Sequence, residues 1–169
     1  MDPRTLIVAA IALIGGTALA VAQTSIGTFK QWNAYTSSDA GGKMCFIASQ
    51  PQDSKYVPSA PKSRDPVFFM ITSIPAKNIR NEASTIIGYP FKPGSKVSVD
   101  VDGTAFSMFT DKDSAWIEAA DQEPALIDAM KKGTKLTVQG TSRRGTATTD
   151  SYSLAGISAA LAAIAKECP

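Results

Sequence analysis

Ser59 and Lys62 are the first residues along the chain whose types and spacing are typical of a catalytic site. They match the S-x-x-K pattern of acyl-transferring serine enzymes, in which the lysine lies one helical turn after the serine and faces it. Pro58 and Pro61 flank and interrupt this stretch, and prolines at these positions disfavour that turn. We therefore expect Ser59 and Lys62 to lie in a loop without catalytic function.

Two further patterns resemble ligand-binding loops but are incomplete. Residues 140–146 (GTSRRGT) have the glycine spacing of a phosphate-binding loop, yet Thr146 stands where that loop requires a lysine. Asp111 and Asp113 resemble the start of a calcium loop, but the third acid, the glycine and the distal glutamate are missing. These departures predict a hairpin at residues 140–146, and we expect neither a metal nor a cofactor.

Carboxylates are the remaining candidates for acid and base chemistry, because the sequence contains no histidine. That absence removes the usual general base and the commonest zinc ligand. An enzyme would have to use groups such as Asp100, Asp102 or Glu118, for example to hydrolyse cell-wall material. Asp100 and Asp102 share one face of a predicted strand, where a solvated outer surface explains both. We expect a protein that is not an enzyme, with a histidine-free hydrolase as the alternative.

Cys45 and Cys168 are the only cysteines, so they allow one intramolecular pairing. A bridge between them would close most of the chain into a loop, which the chain-entropy model values at about 4–5 kcal/mol. The alternative is a reactive thiol, but neither cysteine lies in a C-x-x-C pattern or another activating setting. We therefore predict a structural disulfide.

Residues 86–95 (IIGYPFKPGS) combine two aromatic side chains with stiffening prolines and glycines. Tyr89 and Phe91 on such a loop would lose little entropy on contact with a partner, which suits recognition. The alternative is that both rings cap the end of the core. Arg143 and Arg144, in the predicted hairpin, complete our set of candidate partner-binding residues.

The elements that must position these residues are mainly strands. Alternating apolar residues predict strands over residues 28–35, 97–102, 104–109, 136–139 and 146–153, and apolar runs predict others over 44–49, 67–74 and 83–88. Residues 67–74 are expected to be buried on both faces, residues 50–66 to be an exposed irregular loop, and Asp102-Gly103 to form a hairpin turn. Helices are predicted over residues 121–132 and 154–168. This pattern indicates an antiparallel β-sandwich or barrel with two helices.

The N-terminal residues resemble a secretory signal peptide. Arg4 precedes the apolar residues 6–14, and Ala20-Val21-Ala22 has the small-x-small pattern that signal peptidase cleaves after. The alternative, a membrane anchor, would require about 20 apolar residues, whereas this run is shorter and is broken by glycines. We therefore predict a mature single domain over residues 23–169, in the periplasm or at the cell surface, without a transmembrane segment.

The net charge and composition of the chain indicate which kind of partner it binds. A net charge of +2, with 44% hydrophobic and 19% charged residues, is typical of a folded domain rather than a disordered or nucleic-acid-binding chain. We expect a protein or cell-envelope partner and no nucleic acid.

Much of the chain resembles the invasion-associated locus B family of exported bacterial proteins. The resemblance lies in CFIASQP (45–51), IIGYPFKPGS (86–95), AWIEAADQEPALIDAMKKG (115–133) and GTSRRGTATTDSYSLAGISAALAAI (140–164). It implies a mainly β, immunoglobulin-like antiparallel β-sandwich in the periplasm or at the cell surface, with two short helices. It also implies a role associated with host-cell invasion and provides no catalytic residues.

Overall fold

Alternation of apolar and polar residues produces a chain built mainly of β-strands. The computed structural model describes residues 23–39 and 41–169, so the predicted signal peptide over residues 1–22 lies outside the described residues. The strands of the described part are β1 (Thr24–Phe29), β2 (Trp32–Asp39), β3 (Gly42–Ser49), β4 (Asp53–Val57), β5 (Phe68–Ile74), β6 (Ile79–Ile86), β7 (Lys96–Val101), β8 (Thr104–Asp111), β9 (Ser114–Ile117), β10 (Lys135–Thr141) and β11 (Ala147–Ser153), and the α-helices are α1 (Glu123–Lys132) and α2 (Ile157–Glu167).

All eleven strands belong to one antiparallel sheet, in the order β1-β2-β3-β5-β6-β9-β8-β7-β10-β11-β4. The sheet folds over on itself, because the rings of Phe69 in β5 and Tyr152 in β11 pack edge to face at 6.0 Å although five strands lie between them. Trp32 in β2 also contacts β11, because its Nε1 donates a hydrogen bond to the carbonyl oxygen of Ser153 at 3.1 Å. The predicted mainly β fold with two helices, one of them C-terminal, is confirmed. A sandwich usually divides its strands between two sheets, whereas here the two layers are halves of one sheet.

The C-terminal helix packs along β1, β2 and β3. Its buried stripe follows the predicted three- and four-residue spacing through Ile157, Leu161 and Ile164. This stripe leads to Cys168, which is bonded to Cys45 in β3 with the Cα atoms 6.0 Å apart. The predicted disulfide is confirmed, and it ties the end of the chain to the centre of the first strands.

Three expectations about strands were wrong. Residues 28–35 form two strands of a hairpin, because Phe29 and Trp32 lie opposite each other across a turn rather than on opposite faces of one strand. Residues 53–57 form the edge strand β4 within the predicted irregular loop, and β11 supplies its hydrogen bonds. Strand β5 is fully buried on one face only, since Phe69 and Ile71 point into the core while Met70 is half-buried on the other face.

The predicted hairpin turn at Asp102-Gly103 is confirmed. Both residues have positive φ, 46° at Asp102 and 96° at Gly103, as the two-residue turn between β7 and β8 requires. A Cβ added at Gly103 would meet no atom within 4 Å, so a substitution there changes backbone strain and little else.

We expect Gly103→Val to lower the free energy of unfolding by about 1–3 kcal/mol, because a β-branched residue strains at positive φ. Denaturant unfolding of the variant beside the wild type measures the difference. Gly103→Asn is the control, since asparagine tolerates such backbone angles and should cost less. Equal losses for the two variants would contradict this account of the turn.

Candidate functional site

Two candidate partner-binding segments meet at one cleft of about 270 Å³. We call it the Tyr89 cleft; it is lined by residues 88–90 of the aromatic loop, by Pro61, Ser63 and Asp65, and by five residues of the β10–β11 hairpin: Ser142, Arg143, Arg144, Thr146 and Thr148. Tyr89, Arg143 and Arg144 are thus brought together although they are far apart in the sequence.

Backbone hydrogen bonds hold the walls of the Tyr89 cleft at fixed separations. Arg143 donates its N–H to the carbonyl oxygen of Pro90 at 2.9 Å, and Asp65 donates to that of Gly88 at 3.0 Å. Gly88 has a φ of 76°, and a Cβ there would collide with the carbonyl oxygen of Asp65. Only glycine permits this close approach, so the cleft is preformed by its backbone.

Tyr89 is held in place on three sides. Its hydroxyl shares a hydrogen bond of 2.6 Å with Oγ1 of Thr148, and its ring packs edge to face on Phe91 at 5.7 Å. The guanidinium of Arg64 lies 5.2 Å from the ring centre. Burial raises the pKa of Tyr89, so at neutral pH the side chain is an uncharged phenol. A half-buried, fixed tyrosine of this kind can contact a partner at little entropic cost.

Phe91 does not face the cleft as a binding surface. Only 5% of Phe91 is exposed, and its ring lies in the core against Gly140, where an added Cβ would approach the ring to 2.8 Å. The ring of Phe91 therefore caps the core and packs against the ring of Tyr89. Tyr89 alone of the two aromatic residues reaches the cleft.

A buried ion pair anchors the loop that forms the third wall. Arg64 donates from Nη1 and Nη2 to the two carboxylate oxygens of Asp150, at 2.8 and 2.6 Å, and the carboxylate of Asp150 is fully buried. Ser54 donates to the same carboxylate at 2.6 Å, and Arg64 donates from Nε to the carbonyl oxygen of Ile87 at 2.8 Å. Burial by itself would lower the pKa of Arg64, but the hydrogen bonds and charge of Asp150 raise it above its ordinary value.

Sequence reasoning missed this pair. The available signal was the position of Asp150, which shares the inward face of β11 with Thr148 and Tyr152. A carboxylate at an inward position must find a partner, because a lone buried charge is very costly. The alternation of residues along β11 therefore indicated that a basic side chain pairs with Asp150, but it did not identify that side chain.

Arg143 and Arg144 lie at the tip of the predicted hairpin, where both side chains are exposed. The tip is closed by a hydrogen bond of 2.8 Å from the N–H of Gly145 to the carbonyl oxygen of Ser142. Asp65 is the one acidic residue lining the cleft in the described part of the chain, against two arginines. The arrangement can bind an anionic group such as a carboxylate or a phosphate, two oxygens of which the planar guanidinium of arginine recognises with paired hydrogen bonds.

The carboxylates of the hydrolase alternative make structural contacts instead of lining this cleft. Asp102 accepts hydrogen bonds from the N–H groups of Thr134 and Lys135, and these bonds, that of Thr134 foremost, lower its pKa. The hydrogen bond from Lys96 is the main cause that lowers the pKa of Glu118. A general acid needs a raised pKa, so neither group is tuned for that role. Asp100 accepts from the N–H of Gly103 at 3.1 Å and stabilises the turn.

None of the helices in residues 23–39 and 41–169 has the length and apolarity needed to cross a membrane. Over the same residues, histidine, cysteine, aspartate and glutamate side chains form no group of three or more that could hold a metal ion.

Comparison with known proteins shows which family the chain resembles. The model of a family described as Invasion associated locus B (IalB) protein matches residues 32–165. No curated protein and no solved structure matches the chain. The matched range contains all of the Tyr89 cleft, the Arg64–Asp150 pair and Cys45.

Proposed function

Because the chain belongs to the invasion associated locus B family, we propose that it is a non-catalytic binding protein of the cell envelope whose partner docks at the Tyr89 cleft. The observation that carries the proposal is the meeting of a fixed tyrosine and two exposed arginines in a preformed cleft. Tyrosine and arginine are among the residue types most enriched at positions that dominate the binding energy of interfaces. Any role in host-cell invasion would be exerted through this contact.

The chemistry of the cleft favours an anionic group on the partner. Arg143 and Arg144 project from a tip that is closed by its own backbone bonds, so they need not unfold any structure to bind. The ring of Tyr89 offers an apolar surface beside them. We propose a protein or envelope component that presents a carboxylate or phosphate next to an apolar group.

An extracytoplasmic location is indicated by the disulfide and by the family. We further propose export by the signal peptide predicted over residues 1–22, with the mature protein in the periplasm or at the cell surface. N-terminal sequencing of the protein recovered from the periplasmic fraction should then begin at Gln23. A retained Met1 would contradict the predicted cleavage.

Charge reversal at the hairpin tip tests the docking site. We expect Arg143→Glu/Arg144→Glu to remove most of the partner that the wild type captures by crosslinking in cells, at least a tenfold loss, because a favourable contact becomes repulsive. Quantitative mass spectrometry of the crosslinked material measures the loss. Both positions are exposed, so the free energy of unfolding should change by less than about 0.5 kcal/mol.

Lys131→Glu/Lys132→Glu is the matched control, since it changes the net charge equally at exposed positions at the end of α1. It should leave the captured partner unchanged. Equal losses in both double variants would indicate a general charge effect and contradict docking at the Tyr89 cleft. Release of soluble products from cell-wall fragments by the wild type, abolished in Glu118→Gln, would favour the hydrolase alternative instead.

A further inference from the structure

A second and larger groove, of about 730 Å³, lies on the outer face of the sheet over β2, β3 and β5. It shares no lining residue with the Tyr89 cleft. Strand register creates its surface: Tyr35 lies opposite Phe46, and Ala48 lies opposite both Asn33 and Met70. These residues all point away from the core, because their neighbours Ala34, Ile47 and Ile71 point into it.

The floor of this groove is apolar and recessed. Tyr35 stacks on Phe46 at 5.2 Å between ring centres, and only 5% of Phe46 is exposed. Met44, Met70, Phe68 and Ile86 are half-buried and extend the apolar floor along the strands. Methionine side chains are flexible and adapt to apolar ligands. The volume lies within the range of roughly 300–1,000 Å³ usual for sites of small ligands.

The rim is polar and contains one charged side chain. Its exposed residues include the uncharged Gln23, Gln31, Gln50 and Gln52. Among the lining residues the only ionised side chain is that of Lys30, and in the described part of the chain no carboxylate forms an ion pair with it. One end of the groove is therefore cationic while its floor is apolar.

Lys30 is held at that end by the turn between β1 and β2. Lys30 has a φ of 56°. The neighbouring Gln31 is held by hydrogen bonds at both its carbonyl oxygen and its N–H. The carbonyl oxygen of Gln31 accepts from the hydroxyl of Ser49 at 2.7 Å, and its N–H donates to the carbonyl oxygen of Ala155 at 3.4 Å. The backbone of the turn thus fixes where the ammonium group can reach.

We infer that this groove binds a free long-chain fatty acid, with the acyl chain along the Phe46–Met70 floor and the carboxylate at Lys30. Charge complementarity selects an anionic head group, since the lining contains a cation and no acid. A bilayer surface is a poorer fit because the apolar side chains are recessed rather than protruding. A concave groove also offers little of the roughly 800 Å² per partner that a stable dimer buries.

Titration of the purified protein with palmitate, followed by isothermal calorimetry, tests the inference. We expect saturable binding of one palmitate per chain. Lys30→Asn should weaken palmitate binding about three- to fivefold, the effect of one partly exposed ion pair, while asparagine keeps the positive φ of the turn. The same substitution should leave the binding of hexadecanol, which lacks the carboxylate, unchanged.

Lys112→Asn is the matched control, because Lys112 also has a φ of 56° at an exposed turn but does not line the groove. It should bind palmitate as the wild type does. Ala48→Phe, which fills the floor, should abolish binding of both palmitate and hexadecanol while unfolding remains cooperative. Arg143→Glu/Arg144→Glu should bind palmitate normally, so this inference and docking at the Tyr89 cleft can fail separately.

Four results would overturn the inference. Palmitate binding that is absent, or that survives unchanged in Ala48→Phe, would exclude the groove as its site. Sedimentation of the protein with anionic phospholipid vesicles, lost in Ala48→Phe, would identify a membrane as the occupant. A dimer in solution that Ala48→Phe dissociates would identify a second copy of the chain.

Discussion

Arg64→Met is expected to lower the free energy of unfolding by about 3–5 kcal/mol, the range for removing one partner of a buried ion pair. The variant would leave the carboxylate of Asp150 fully buried without its cation, and among the described residues only the hydroxyl of Ser54 would still donate to it from a side chain. It would also remove the hydrogen bond to the carbonyl oxygen of Ile87. Equilibrium unfolding in urea measures the loss.

The double variant Arg64→Met/Asp150→Leu separates the charge from the packing. With both charges gone no ion is left unpaired, and replacing a buried ion pair with apolar residues is often neutral or stabilising. We therefore expect the double variant to recover most of the stability that Arg64→Met loses. A double variant as unstable as the single one would mean that the pair contributes through hydrogen bonds to its neighbours rather than through compensation of charge.

The same pair should also control the Tyr89 cleft. Arg64 connects the loop that carries Pro61 and Asp65 to β11, and its guanidinium lies over the ring of Tyr89. Loss of this connection should increase hydrogen exchange in residues 61–65 before it affects the central strands. Partner capture should fall in Arg64→Met even under conditions in which the protein stays folded.

Removal of the disulfide is expected to cause the second large loss of folding stability. Cys45→Ser/Cys168→Ser should lose about 2–5 kcal/mol, the usual range for a native disulfide. The bridge joins β3 to the residue that follows α2, so its loss unties the C-terminal end of the chain. We expect hydrogen exchange to rise first in α2, because chain ends fray most readily once they are released.

Each single cysteine variant provides the control for the double one. Either substitution breaks the same bridge, so the three variants should lose similar stability apart from effects of the unpaired thiol. Mass spectrometry of the exported protein under non-reducing conditions tests the premise directly. Two free thiols in that protein would contradict the structural role of the bridge.

Local sequence patterns were sufficient to predict much of the fold. The alternating valines of β7 and the Asp102-Gly103 turn predicted the β7–β8 hairpin, because strand faces and turn angles depend on neighbouring residues. The stripe of α2 and the single cysteine pairing predicted the C-terminal helix and its tether for similar reasons. Strand β4 was missed because an edge strand buries few apolar residues and leaves little periodicity to detect.

Candidate site residues were only partly accessible to sequence reasoning. The composition of residues 86–95 indicated either an aromatic recognition loop or a cap on the end of the core, and Arg143-Arg144 lay in the predicted hairpin. No feature of the neighbouring sequence distinguished Tyr89 from Phe91, since both residues lie among prolines and glycines. The close approach of Phe91 to Gly140, a residue of β10, decided which ring is buried.

By itself, then, the sequence determined the mainly β class, the C-terminal helix, the cysteine pairing and the exclusion of histidine chemistry. Only the tertiary structure decided that Arg64 pairs with Asp150, 86 residues away, that Tyr89 meets Arg143 and Arg144, and that β2, β3 and β5 expose an apolar groove. The physical reason is the separation along the sequence of the residues that interact. Periodicity and turn preferences arise from a few successive residues, whereas these contacts depend on the order in which distant strands pair and on how the sheet folds over itself.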